Sequence, residues 1–198
     1  MTAPSVRVLL YHAVAEDRDF PTPAGTNLPP EEFEEQMAYL AAAADPISLH
    51  ASLGENRRTV RSPVAVTFDD GYGDNYRIAY PLLRKYSIPA TFFLTVSRLG
   101  RDWDFPGGRY PGLGWEEASA LSRDPLIELG SHGMTHSDLT RLSTVEAWDE
   151  IHSSRSILAG NLEEPIRYFS YPHGSFNGEL IEQVRRAGYQ AAFSVIDT

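Results

Sequence analysis

Three short clusters in this chain carry the residue types of hydrolytic chemistry. Thr67-Phe68-Asp69-Asp70-Gly71-Tyr72 sets two adjacent carboxylates directly after the apolar run Val64-Ala65-Val66. Side by side at a strand end they repel, and a cation beside them removes that cost. An Asp-Gly pair is also a hairpin signal, but the residues after Gly71 have helical rather than strand character. Gly130-Ser131-His132-Gly133-Met134-Thr135-His136 spaces two histidines at i and i+4. On a helical turn these project to the same side and can meet one metal ion. With Asp70 added, the set is two imidazoles and one carboxylate, which leaves positions for water and substrate, as in catalytic zinc sites. The third cluster is Arg167-Tyr168-Phe169-Ser170-Tyr171-Pro172-His173-Gly174. An arginine opening a buried strand needs a carboxylate partner, which the aspartate cluster can supply, or else it reaches solvent at the edge.

Strand ends must hold these clusters, and the hydrophobic pattern provides them. Short β-branched runs alternate with helical periods, the pattern of an α/β protein with parallel strands. Strands are expected at Val6 to Tyr11, Val64 to Phe68, Ala90 to Val96, Leu126 to Leu129, Tyr168 to Tyr171 and Gln190 to Ile196, with a short one at Ile47 to His50. Helices are expected from Glu31 to Ala44, with Phe33, Met37 and Leu40 on one face, and from Asp74 to Tyr86, with Ile78, Leu82 and Tyr86 on one face despite Pro81. Ser143-Thr-Val-Glu146 reads as a capping box opening a helix that ends near Gly160, and Asn177 to Ala187 as a helix stopped by Gly188. Pro21 to Pro30 is a loop. Residues 101–114 hold so many glycines and prolines that an irregular loop is expected; the aromatics there and beside it, Trp103, Phe105, Tyr110 and Trp115, either stack on sugar rings or plug the core. Six or seven strands fit a barrel or an open doubly wound sheet, and in both, ligands bind at the carboxyl ends of the strands.

Composition narrows the chemistry further. The 198 residues amount to one domain. Hydrophobic residues make up 42% and charged residues 22%, ordinary for a folded chain and too apolar for disorder. With no cysteine, disulfides, thiol nucleophiles and sulfur-ligated metals are excluded, so any metal is held by His, Asp or Glu. A formal net charge of -10 opposes nucleic acid and anionic membrane surfaces and suits neutral or cationic ligands. The sequence shows no signal-peptide pattern and no apolar run of membrane-spanning length; as written it reads as cytoplasmic, and as extracytoplasmic if it is trimmed from a longer precursor.

Taken in order, the three clusters resemble the motifs of the polysaccharide deacetylases, the NodB-homology family of carbohydrate esterases. Leu10-Tyr11-His12-Ala13-Val14 and the stretch from Tyr80-Pro81 to Phe92-Phe93 are similar to one branch, with an N-terminal Tyr-His strand. The resemblance implies an α/β fold, a distorted (β/α) barrel of about seven mostly parallel strands, forming one catalytic domain over residues 1–198. It implies hydrolysis of N-acetyl groups on an N-acetylhexosamine-containing saccharide, with one divalent metal ion, most often zinc. By the same resemblance, Asp70, His132 and His136 are the metal ligands. Asp69 is the general base toward water on the ion, and Arg167 holds Asp69 ionised and oriented. The His173 backbone N–H, with Tyr171 and Trp103 nearby, contacts the substrate. The family's late Leu-x-His motif has no counterpart after His173. In the branch with the Tyr-His strand, a histidine ending the first strand takes that space, which points to His12 as general acid. A non-catalytic glycan-binding module and an O-acetyl esterase are the competing readings.

Overall fold

The computed structural model describes residues 5–16, 26–54 and 62–195. Residues 21–25 of the expected loop, and Ile196 of the expected last strand, lie outside them. The chain runs β1 (Arg7–Tyr11), β2 (Ala13–Val14), β3 (Asn27–Leu28), α1 (Pro30–Ala43), β4 (Asp45–Pro46), α2 (Leu49–Leu53), β5 (Pro63–Phe68), α3 (Tyr80–Tyr86), β6 (Ala90–Leu94), β7 (Trp103–Phe105), β8 (Gly108–Tyr110), α4 (Trp115–Ser122), β9 (Ile127–Ser131), α5 (Thr144–Leu162), β10 (Tyr168–Ser170), α6 (Gly178–Arg186) and β11 (Ala191–Phe193).

Seven strands form one sheet in the order β1-β5-β6-β9-β10-β11, with the short β4 beside the start of β5. Every pairing in it is parallel. That requires a crossover after each strand, and helices supply most of them. Residues following β1, β5, β9, β10 and β11 line one cavity, so the sheet curls and its two edges approach without pairing. This is the expected distorted (β/α) barrel, in half-barrel form. Alternation sorts the side chains of β5: Val64, Val66 and Phe68 pack under the helices with Phe33, Met37, Leu83 and Phe92, while Ala65 turns to the other face with Leu49, Phe93 and Tyr168. Among the described residues no helix is long and apolar enough to cross a membrane.

Local chemistry explains where the elements depart from expectation. Ile47 to His50 is not a strand, because the Ser48 hydroxyl accepts from the Ala51 N–H and starts α2. The segment before Pro81 is a wide π-turn, Asn75–Ala79. It leaves Pro81 in the first turn of α3, where the missing N–H costs nothing. The most buried stripe there is Asn75, Ala79 and Leu83, one position past the expected Ile78, Leu82 and Tyr86. Residues 101–114 hold a two-stranded antiparallel ribbon with Trp103 opposite Tyr110 and Phe105 opposite Gly108, the Pro-Gly pair marking its turn. A helix follows that was not expected, α4, where Glu117 accepts from the Gly114 N–H at 2.7 Å. The capping box at Ser143 and Glu146 opens α5 as expected, and Asn177 caps α6.

Candidate active site

The Asp69-Asp70 pair sits where β5 ends. Asp69 N–H continues the ladder by donating to the Tyr11 carbonyl at 3.0 Å, and the chain then turns sharply. Gly71 N–H donates back to the Asp69 carbonyl at 2.9 Å, with φ of 73° at Asp70 and 78° at Gly71. A helical segment rather than a second strand follows, so the Asp-Gly pair is not a hairpin turn. Leu113 N–H and Gly73 N–H clamp this turn to the loop before α4, through Gly71 and Pro111 carbonyls. His132 sits at the end of β9, on the far side of β6 from β5, its N–H donating to the Leu94 carbonyl of β6 at 2.9 Å.

Asp70, His132 and His136 converge, with one ligand atom from each lying within 4.8 Å of the others. Asp70 Oδ1 is 3.1 Å from His136 Nε2 and 3.5 Å from His132 Nε2. It is buried and accepts no well-formed hydrogen bond, an arrangement a cation would satisfy. His132 Nδ1 lies 2.9 Å from the Ser170 carbonyl; a carbonyl only accepts, so Nδ1 carries the proton and Nε2 turns its lone pair toward Asp70. Burial pushes the His132 imidazole down to about 4, keeping it neutral. At Asp70 burial acts upward, but contact with His136 and the nearby His132 outweigh it and hold the carboxyl well below its usual range. Two imidazoles and one carboxylate fit a divalent first-row cation.

Asp69 differs from its neighbour. Burial pushes its carboxyl up to about 7, opposed chiefly by the charge of His12. Ser170 Oγ–H donates to its Oδ2 at 2.9 Å, and its Oδ1 is buried with no hydrogen-bond partner. Arg167 is not its partner. It lies at the opposite, amino end of β10, beside Glu128, Glu164 and Tyr168, with its carbonyl accepting from Gln190 N–H. Three extended steps of the chain, about 10 Å, separate Arg167 from Ser170, and Ser170 is what reaches Asp69. In the sequence the charge of Arg167 makes it conspicuous, but the uncharged serine three positions later makes the contact.

The remaining candidates divide. His12 follows β1 and lines the cavity with Asp69, Asp70, His132, His136, Tyr171 and His173. Its carbonyl accepts from Asn75 Nδ2 at 2.8 Å, and the same amide donates to Asp74 Oδ1, which also accepts from Val14 N–H at 2.6 Å. Burial pushes the Asp74 carboxyl up to about 6. Asp74 and Asn75 thus seat the His12 backbone, a role without a sequence signal. His173 is exposed, has φ of 60°, and donates through Nε2–H to the His136 carbonyl at 3.2 Å. Asp70, His136 and His173 are three of the five non-glycine residues with positive φ among those described, and such strain concentrates at functional sites. Trp103 is not a cavity wall: it is 6% exposed, with Arg98 over its ring and His136 edge-on at 5.4 Å. Phe105, stacked on it at 8° between planes, and Tyr72 line the cavity instead. That cavity measures about 360 Å³, within the range of small-ligand sites.

The family model for polysaccharide deacetylase matches residues 56–192. The chain belongs to the polysaccharide deacetylase family. Among curated relatives of these deacetylases, YxkH of Bacillus subtilis, named with the polysaccharide deacetylases, is 27% identical over 92% of this chain and 62% of its own length. The poly-beta-1,6-N-acetyl-D-glucosamine N-deacetylase of Staphylococcus aureus is 27% identical over 67% of this chain and 47% of its own. The chain therefore spans about half to three-fifths of these curated relatives. Among solved structures, IcaB from Ammonifex degensii superposes with a TM-score of 0.81 at 25% identity, covering 96% of this chain and 83% of that one.

Proposed function

We propose that residues 1–198 form one catalytic unit that removes N-acetyl groups from an N-acetylhexosamine-containing saccharide. The observation that carries this reading is the pair of neighbouring carboxylates with opposite proton affinities, Asp70 turned to two histidines and Asp69 beside them with one oxygen unpartnered. Asp70, His132 and His136 would hold the ion, with zinc first among candidates for such donors. A divalent cation there supplies Lewis acidity toward water and toward the acyl oxygen. Asp69 accepts the proton of the attacking water, since a carboxyl near 7 is suited to both taking and returning it. Ser170 holds the other Asp69 oxygen and, through its carbonyl, the His132 ring, tying base and ligand to one residue. His12 reaches the cavity from the first strand and protonates the departing amine. The His173 backbone N–H is the donor toward the acyl oxygen as it gains charge, and Tyr171, Phe105 and Tyr72 are the walls against which the sugar packs. The glucosamine polymer named for the Staphylococcus aureus relative makes β-linked N-acetylglucosamine the first substrate class to try.

Acetate release from N-acetylglucosamine oligomers, measured with metal content before and after chelation, tests the reading. Asp69→Asn should keep the ion and lose about 10²-fold or more in rate. His12→Ala should lose about 10² to 10⁴-fold on the amide and far less on an activated aryl acetate, whose leaving group needs no proton. No release from amide or ester by the metal-loaded protein would favour a glycan-binding module instead.

A further inference from the structure

Glu150 is a buried carboxylate on α5 that the proposed reaction does not use. Its hydrogen bonds go to Met134 and Thr135, on the backbone that joins the two histidines. Its Oε2 accepts from Met134 N–H at 2.8 Å and Thr135 N–H at 2.9 Å, and its Oε1 accepts from Thr135 Oγ1–H at 2.5 Å. A Cβ at Gly133, where φ is 80°, would stand 3.1 Å from Glu150 Oε2, so the approach depends on that glycine. One turn further along the same helix face, Ser154 Oγ accepts from Ser131 Oγ–H at 2.8 Å. From the other side Val96 and Ser97 N–H donate to the Gly133 and Met134 carbonyls at 3.2 and 2.8 Å. Residues 133–135, between His132 and His136, are thus held on both sides, although the segment is irregular and leads into His136 with φ of 66°.

We infer that Glu150 is a positioning residue whose three hydrogen bonds fix the separation of the His132 and His136 imidazoles and so set the affinity of the site for a divalent cation. This rests on the metal-ligand assignment above. Irregular backbone carrying two ligands has no helix or ladder to hold their spacing, and one acceptor taking two successive N–H groups restrains both peptide planes at once. Side chains that orient metal ligands from behind typically account for 10- to 100-fold in affinity.

The test is zinc affinity, by competition with a chromophoric chelator, on purified wild type, Glu150→Ala, Glu150→Asp and Glu150→Gln, with Co²⁺ absorption as a readout of ligand geometry and melting in chelator as the check on folding. Glu150→Ala should weaken zinc by 10- to 100-fold. Glu150→Asp keeps the charge but is one methylene short, so it should also weaken binding and alter the Co²⁺ spectrum; it serves if the alanine variant does not fold. Glu150→Gln should return to within a few-fold of wild type, because its amide oxygen can take both N–H groups while its NH₂ donates to Thr135 Oγ1. Wild-type affinity in Glu150→Asp, or a Gln variant as weak as the Asp variant, overturns the inference and leaves the ligand assignment standing. Absence of zinc and cobalt binding by the wild type overturns both.

Discussion

Asp69 and Asp70 share a strand end, yet burial lifts one carboxyl to about 7 while two histidines hold the other low. The first shift has a consequence for stability in the absence of metal. The folded chain binds the Asp69 proton more tightly than the unfolded chain, whose aspartates titrate near 4. Ionisation in the fold therefore costs stability progressively as pH rises from about 4 to about 7, and by a constant amount above that. In chelator, Asp69→Asn lacks this cost, so its melting temperature relative to wild type should climb between pH 5 and pH 8. A difference that does not change with pH would mean Asp69 is already ionised in the fold at pH 5. At this scale the convergence of Asp70, His132 and His136 was legible from residue types alone, whereas the helical turn that the i, i+4 spacing suggests is absent: the segment from His132 to His136 is irregular. The partner of Asp69 was not legible, since a serine hydroxyl has no charge to advertise itself and its reach depends on which end of β10 it occupies. Glu150, Asp74 and Asn75 act on backbone far away in sequence, and no spacing rule exposes them.

At the scale of elements, strands and capped helices are readable from alternation and from Ser143, Glu146 and Asn177, while the aromatic segment is a hairpin that its glycine and proline counts conceal. That ribbon is anchored. Asp104 pairs with Arg109 at 3.1 Å and with Arg98 at 3.7 Å, and Gly112 passes so close to the preceding turn that a Cβ would meet the Arg101 and Arg98 carbonyls at 2.3 and 2.4 Å. Backbone cannot yield as a side-chain tip does, so Gly112→Ala should shift the ribbon and with it Phe105. We expect a loss of roughly 1–3 kcal/mol in denaturant unfolding, with a raised KM on oligomers and a nearly unchanged KM on a small aryl acetate. An equal rise for both substrates would place the sugar contact elsewhere.

Across the whole molecule the formal charge of -10 attracts cations. A partly deacetylated oligomer carries ammonium groups, whereas its fully acetylated parent is neutral. Raising salt from about 0.05 to 0.5 M shortens the screening length to a few ångströms, so KM for the partly deacetylated oligomer should rise several-fold and KM for the parent should stay level. Parallel rises for both would assign the salt effect to something other than long-range attraction.

The ligands of the proposed site come from two strand ends, and His132 lies 132 minus 70, or 62, positions along the chain from Asp70. An ion held there ties a long loop shut, and only the folded chain brings those ends together, since closing so long a loop in the unfolded state is entropically costly. Zinc thereby becomes a ligand of the native state alone, and its binding energy adds to folding by mass action. Free zinc at about 100 times its Kd should stabilise the protein by about 2.7 kcal/mol, visible as a concentration-dependent rise in Tm that Asp70→Ala abolishes. A Tm indifferent to zinc in the wild type would mean that the native and unfolded chains hold the ion equally well, or that neither holds it.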